Sequence, residues 1–377
     1  MKKLLFISNI CKNITNFHTA SLDAAIALGY EFHFAANFNN LPKETMDKYP
    51  NIHFHHIDLV RFPFNIRNVK AYEQLNNLIK KENISVIHCN TPIGGALGRL
   101  CGKKTKHIKI FYTAHGFHFY KGAPLVNNCI YKPMEKYLAH YSDVIITMNE
   151  EDYHVAKTMK LRKSGHVYKV NGVGINTTDY QNININKEDY RNWLSLENDD
   201  FVCIAMGDLI KRKNYEMALR GIALCKNPKI HYLICGNGPE KNNLQDLAKN
   251  LGIREQVHFL GYRTDIKELL AISDCFLFTS LQEGLPRSLM EAMASGLPCV
   301  VSRIRGNSDL IKDGEGGYLC ETKNVEQYVN AINQLLSISL RKKMGKKNLE
   351  RIKKYSMEIV QNELTTCYAN IFGVHYE

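Results

Sequence analysis

At 377 residues the chain is longer than one hydrophobic core usually serves, so two domains are expected. Apolar residues make up 45% and charged residues 23%, which excludes a disordered chain, and no apolar run reaches the ~18 residues of a membrane-spanning helix. The net charge of +12 is concentrated early: residues 1–180 carry 23 Lys and Arg against 13 Asp and Glu, the remainder 26 against 24, which points the first half toward an anionic surface.

The opening segment, Met1 to Ile7, resembles a signal peptide only until Ser8-Asn9, where its apolar run stops too soon; it reads as a first buried strand. Further strand-like runs follow at 31–37, 53–59, 86–90, 108–114 and 144–148. Helical stretches lie between them at 19–28, 69–81, 94–101 and 126–140. The rhythm restarts with strands at 201–206, 231–235, 256–260, 274–279 and 298–302 and helices at 215–226, 242–251, 265–272 and 325–337. Two consecutive doubly wound α/β units are therefore predicted. Residues 176–200, polar and with little apolar periodicity, read as the hinge between a first domain of 1–175 and a second of 201–340. Eleven cysteines include no CxxC pair. Cys203, Cys235, Cys275 and Cys299 sit inside apolar runs, so reduced core thiols of a cytoplasmic protein are expected.

In such sheets ligands lie beyond the carboxyl ends of the strands, so the loops there carry the candidates. The loop 10–18 lacks G-x-G-x-x-G, which argues against a dinucleotide site. Its Asn16 and His18, at a helix start, serve either as caps or surface residues or as contacts to a ligand or its phosphate. After the strand at 108–114 come His115-Gly116 and then His118 and Lys121, a stretch dense in polar aromatics. Asn171-Gly172-Val173-Gly174 closes the last strand of the first domain. Gly207 to Asn214 places Lys211, Arg212 and Lys213 before a helix, where they suit a diphosphate. Gly236-Asn237-Gly238 lets backbone approach a ligand closely. Arg263, in the loop after the next strand, is a candidate ligand contact, and Asp265 a candidate helix cap.

The densest stretch is Asp274 to Ser302: buried strand, turn, helix Arg287–Ala294, second strand. The helix start offers free N–H groups to an anion, and Glu291 lies about one turn in. From Glu283 to Val301 the sequence reads E-G-L-P-x-S-x-x-E-A-M-A-x-G-x-P-x-V-V. This word resembles the donor-site signature of the retaining family-4 glycosyltransferases.

The resemblance implies the GT-B arrangement, two Rossmann-like domains facing a cleft, with the donor on the second and the acceptor mainly on the first. Residues 341–377 would form helices crossing back to the first domain. Arg212 and Lys213 would stabilise the leaving diphosphate, Glu283 hold sugar hydroxyls, Glu291 the ribose, and His115 the donor sugar. Gly236, Asn237, Gly238, Arg263, Gly284, Leu285 and Ser288 complete the donor side; Asn16, His18 and His118 belong to the acceptor side. Two positions depart from the family pattern: the loop 10–18 has no glycine pair, and Asp208 stands where many members have arginine.

The expected reaction is retaining transfer from a nucleotide-diphosphate sugar, UDP-linked hexose or N-acetylhexosamine favoured, to a polyprenyl-diphosphate-linked saccharide in cell-surface polysaccharide synthesis. No DxD ends a strand, so neither a metal nor another cofactor is expected. The basic first domain would dock peripherally on the cytoplasmic membrane face. A GT-B nucleotide-sugar epimerase and an inactive scaffold subunit are the alternatives. Nucleic-acid binding finds no helix-turn-helix, zinc or aromatic-basic signature.

Overall fold

The computed structural model describes residues 2–103, 105, 107–120 and 122–373. Among these the chain forms two compact units, one of the described residues up to Gly174 together with those from Met357 onward, the other Ile175–Ser356.

The first unit is built on seven parallel strands: β1 (Lys2–Ile10), β2 (Tyr30–Asn37), β3 (Ile52–His56), β4 (Val86–Asn90), β5 (Lys109–Ala114), β6 (Val144–Thr147) and β7 (His166–Lys169), in the order β3-β2-β1-β4-β5-β6-β7. Strand β4 is buried throughout, as expected of a central parallel strand covered by helices on both faces. The helix Arg67–Lys81 shows the matching amphipathic spacing. Ala71, Leu75, Leu78 and Ile79 are buried, and Lys80 and Lys81 oppose the dipole at its end. The helix Met357–Phe372 returns to this unit. Its Tyr368 is fully buried, with its ring 5.1 Å from Phe111 and its hydroxyl on His88.

The second unit has six parallel strands: β8 (Phe201–Met206), β9 (Ile230–Cys235), β10 (Val257–Gly261), β11 (Cys275–Phe278), β12 (Cys299–Ser302) and β13 (Gly317–Cys320), in the order β10-β9-β8-β11-β12-β13. In each sheet the strand order reverses beside its first strand, between β1 and β4 and between β8 and β11. That is where a doubly wound sheet opens a crevice for ligands.

The predicted elements are present, with differences at the edges. Strand β13 and the helix Glu150–Lys157 escape the sequence reading, and β7 is located there only by the turn that follows it. The segment 176–200 is not a free hinge. It carries the helix Lys187–Trp193, and its Leu194 and Leu196 are buried in the second unit's core beside Ile175. The terminal region is likewise divided. Helix Ile338–Ile352 stays in the second unit, and the chain passes back only after Ser356. Ile175 N–H donates to the Tyr355 carbonyl at 3.0 Å, and Ile175 bridges Ser356 in parallel, so the outgoing and returning strands of chain run side by side. Residues 374–377 of the expected crossing segment lie outside the described residues. All eleven cysteines are free thiols and nine are buried.

Candidate active site

In the second unit the loops after β8 and β11 are sewn together by backbone. Leu281 N–H donates to the Arg212 carbonyl at 2.8 Å, Asn214 Nδ2 to the Thr279 carbonyl at 3.2 Å, and Thr279 Oγ1 to the Asn214 carbonyl at 2.7 Å. This lacing brings together residues about 70 positions apart in sequence. Glu283 Oε1 accepts from Lys213 Nζ at 2.7 Å, Arg212 Nη1 at 3.1 Å and Ser280 Oγ at 2.6 Å. Glu283 is 9% exposed, so its carboxylate is desolvated and needs these donors. The Lys213 ammonium also lies over the Phe278 ring at 4.6 Å. Arg212 donates in addition to the Gln282 carbonyl. The two cations expected to hold a diphosphate are thus parked on the carboxylate expected to hold the sugar.

Three residues absent from the sequence prediction fix this turn. Buried Arg305 donates from Nε to the Glu283 carbonyl at 3.2 Å. Gly306, at φ +76°, lies so close beneath the turn that a Cβ would stand 2.1 Å from the Gly284 carbonyl oxygen. Ser280 is the third. Arg305 and Gly306 lie more than 20 residues beyond Glu283, with no local pattern that ties them to it.

Gly236 and Gly238 follow β9 as anticipated, packed against the loop after β8. A Cβ on Gly236 would meet the Gly207 carbonyl oxygen at 2.0 Å, and one on Gly238 the Leu209 carbonyl oxygen at 2.3 Å. Leu209 N–H donates to the Asn237 carbonyl at 2.9 Å, which ties the third candidate into the same floor. Gly284 and Leu285 lie half-buried in the turn, and Ser288 is the second residue of the helix Arg287–Ala294. Glu291 accepts from Arg287 Nε at 2.9 Å, and its charge helps burial to raise the pKa of Tyr180. Arg263 is occupied by a two-pronged contact with Asp265, its Nε 2.7 Å from Oδ1, and lies over the Trp193 ring. Asp265 stands at the N-cap position of the helix Ile266–Ile272, as expected, but its side chain makes no capping hydrogen bond. Its carboxylate takes Arg263 and the Tyr190 hydroxyl instead.

In the first unit, His115 follows β5 and pairs its Nε2 with Asn90 Oδ1 at 3.1 Å, at the end of neighbouring β4. Its ring packs on Phe17 at 4.4 Å. Burial, with His18 nearby, pushes its pKa down to about 3, so it is neutral at physiological pH and offers a hydrogen bond rather than a charge. A cavity of about 270 Å³ opens beside it, lined by Phe17, Thr91, Tyr112, Tyr131, Met134 and Glu135 among others. Thr91 holds φ +64°, uncommon for a residue with a branched side chain, and donates from Oγ1 to Asn9 Oδ1 at 2.9 Å. Asn9 Oδ1 also receives the Gly94 N–H at 2.6 Å and so caps the helix Pro92–Gly102. Asn9, Asn90 and Thr91 are the members of this corner that the sequence did not single out.

The acceptor-side candidates separate. His18 is buried and closes a capping box with Thr15, whose N–H donates to His18 Nδ1 at 3.1 Å. Burial brings its pKa to about 4. Asn16 Nδ2 donates to the Gly174 carbonyl at 3.3 Å. His118 is exposed, with its ring against Tyr131. Lys121 lies outside the described residues.

Comparison with known proteins follows the same division of the chain. Residues 186–351 match the model described as glycosyl transferases group 1, and residues 3–149 the one described as glycosyl transferase 4-like. A putative glycosyltransferase, EpsD of Bacillus subtilis (strain 168), is 33% identical over 98% of this chain and 96% of its own length. The chain belongs to the retaining family-4 glycosyltransferases. A second relative of this glycosyltransferase, the Escherichia coli UDP-Gal:alpha-D-GlcNAc-diphosphoundecaprenol alpha-1,3-galactosyltransferase, is 30% identical over 71% of this chain and 70% of its own. The crystal structure of Anabaena Alr3699/HepE in complex with UDP-glucose superposes with a TM-score of 0.80 at 16% identity, covering 98% of this chain and 100% of the other. That likeness establishes the GT-B fold. The expectation drawn from the Glu283–Val301 word is met at the level of family, fold and enzyme class.

Proposed function

We propose that the chain transfers a hexose or N-acetylhexosamine from a UDP-linked donor to a polyprenyl-diphosphate-linked saccharide, with retention, at the cytoplasmic membrane face. The observation that carries this reading is the Arg212–Lys213–Ser280–Glu283 cluster at the strand-order reversal of the second sheet. Breaking the donor's glycosidic bond leaves negative charge on a diphosphate, and two preorganised cations stabilise charge that develops there. An arriving diphosphate competes with Glu283 for Arg212 and Lys213. The released Glu283 oxygen then accepts from sugar hydroxyls, so donor binding and sugar binding are coupled. Glu291 serves the ribose, Gly236, Asn237 and Gly238 the nucleotide side, and His115 the donor sugar as a neutral hydrogen-bonding group. UDP appears in the names of the E. coli relative and the Anabaena structure, and an undecaprenol-linked acceptor in the former, which favours these substrates here.

The membrane part of the proposal rests on the first unit's surface. No helix among the described residues is long and apolar enough to cross a membrane. The helix Leu125–Ala139 nonetheless exposes Leu125, Val126, Ile130, Met134 and Tyr137, with Lys132 and Lys136 exposed alongside. From Val126 these fall at successive turns, one outward stripe opposite buried Glu135 and Leu138. A second segment exposes Phe62, Phe64, Ile66 and Val69 between Arg61, Arg67 and Lys70. Apolar side chains flanked by cations are the composition that binds an anionic lipid interface.

The test is a thermal-shift screen of nucleotides and nucleotide sugars, followed by turnover of the stabilising donor with polyprenyl-diphosphate-linked mono- and disaccharides. Stabilisation by UDP and formation of an α-linked product from an α-linked donor are expected. Conversion of the donor to its epimer without acceptor, or no stabilisation by any nucleotide, would overturn the proposal.

A further inference from the structure

A cluster that the transfer reaction does not use lies at the amino-terminal end of the first sheet's outer strands, the end opposite His115. Glu31 and His33 belong to β2, His53 and His55 to β3, and His33 is the register partner of His53. Glu31 Oε1 is 3.0 Å from His33 Nε2 and 3.2 Å from His53 Nε2, and the three atoms lie within 4.8 Å of one another. Behind them His33 Nδ1 meets His55 Nε2 at 2.9 Å. Lys3 approaches Glu31 at 3.6 Å but holds Glu82 more closely, at 3.1 Å.

We propose that Glu31, His33 and His53 bind a divalent transition-metal ion of the zinc type, with His55 orienting His33 from behind. The donor set is two imidazoles and a carboxylate, which zinc takes at ~2.0–2.2 Å with a fourth position left for water. Tetrahedral geometry at those lengths sets donor atoms about 3.3 Å apart. The two Glu31 distances already approach that. The remaining gap, between the two histidines, closes by movement of His53, whose side chain is 53% exposed.

The hydrogen-bond relay fits the same reading. Without metal, His33 donates through Nε2 to Glu31 and accepts at Nδ1 from His55. With metal on Nε2, the His33 proton resides on Nδ1 and is donated to His55 Nε2, whose own proton moves to its Nδ1. No proton is lost, and the nitrogen behind the metal gains the partner that metal-bound histidines almost always have. Lys3 stays on Glu82 when the metal takes Glu31. The cluster clips edge strand β3 to β2 at the sheet end opposite His115, so its metal braces that edge and takes no part in the transfer.

The experiment uses the full chain without a polyhistidine tag. Calorimetric titration with Zn²⁺, a thermal-denaturation series with Zn²⁺, and the visible spectrum of the Co²⁺ form are the readouts. One equivalent of Zn²⁺ per chain should bind and raise the melting temperature. Co²⁺ should give four-coordinate nitrogen and oxygen bands without the near-ultraviolet thiolate band. His53→Gln, at a half-exposed side chain, and Glu31→Gln should abolish that equivalent. His55→Gln should weaken it ~10–100-fold. His154→Gln, altering an exposed histidine elsewhere, should leave it intact. Absence of binding, a thiolate band, or undiminished binding in folded His53→Gln would overturn the site.

Discussion

Glu283 receives three donors on one oxygen, and the proposed function gives two of them, Arg212 and Lys213, to the diphosphate. Replacing it by glutamine keeps the shape but removes the charge that gathers Arg212 and Lys213. The expected result is a folded protein whose turnover falls ~10²–10³-fold. UDP-induced stabilisation should persist, because the two cations are then free for phosphate. Steady-state kinetics and melting curves with UDP separate the two effects, and equal loss of both would contradict the assigned roles. Of this cluster, Glu283, inside one contiguous word, and the basic pair Arg212–Lys213 in the loop after β8 were marked by the sequence. Arg305, Gly306 and Ser280 were not. Their contacts are to a backbone carbonyl, to van der Waals space and to a side chain already counted for its charge, and none of these leaves a compositional trace. His18 was legible only as an alternative between cap and contact, and its buried ring in the capping box with Thr15 realises the cap.

Among elements, those with a buried apolar run were readable, the four-residue strands β6, β11 and β12 included, whereas β7 and β13 were not. Strands β4 and β8 match their predicted bounds: β4 is apolar but for His88 and ends in Asn90, and β8 is a continuous apolar run stopped by Gly207. Strand β7, with half-exposed and exposed residues only, lacks the apolar signal of its neighbours. Strand β13 sits between glycines and a charged turn, which read as loop. The helix Leu125–Ala139 was legible as a helix, but not by which face it would hide. Its outward stripe is as apolar as an inward one, and only the fold distinguishes them. The double change Val126→Asp and Ile130→Asp alters residues already exposed, so the melting temperature should stay near that of the parent. Sedimentation with vesicles containing anionic lipid should drop severalfold, whereas parent protein should be released by raising the salt. Unchanged vesicle binding in the double variant would remove this helix from the docking surface.

For the whole molecule, the first unit concentrates histidines that must remain neutral. Burial lowers His88 and His115 to about 3 and His18 and His55 to about 4, against 6.5 for the ordinary imidazole. Below pH 6.5 the unfolded chain takes up protons that the native state refuses. Stability is therefore complete above that pH and declines as the pH falls toward 4. Melting curves from pH 7.5 to 5 should show this fall, with a shallower slope in His88→Asn; an identical slope would exclude His88 as a contributor. The two-domain division was legible from length and rhythm, but the exchange point was not. Residues 176–200 are polar on average yet contribute Leu194 and Leu196 to a core, and a few apolar side chains in a polar segment do not register in composition.

The paired passage at Ile175 and Ser356 has a consequence for the order in which the protein is made. The second unit is one uninterrupted stretch of chain and has all its parts as soon as Ser356 leaves the ribosome. The first unit, although synthesised earlier, waits for Met357–Phe372, whose Tyr368 covers Phe111 and binds His88. The half that begins first thus finishes last, and its cover is supplied by the final helix described. A nascent chain stopped at residue 356 should hold a protease-resistant second unit and a protease-sensitive first one. A separately produced 175–356 fragment should unfold cooperatively on its own, and a fragment without a thermal transition would show that the inserted unit depends on its host.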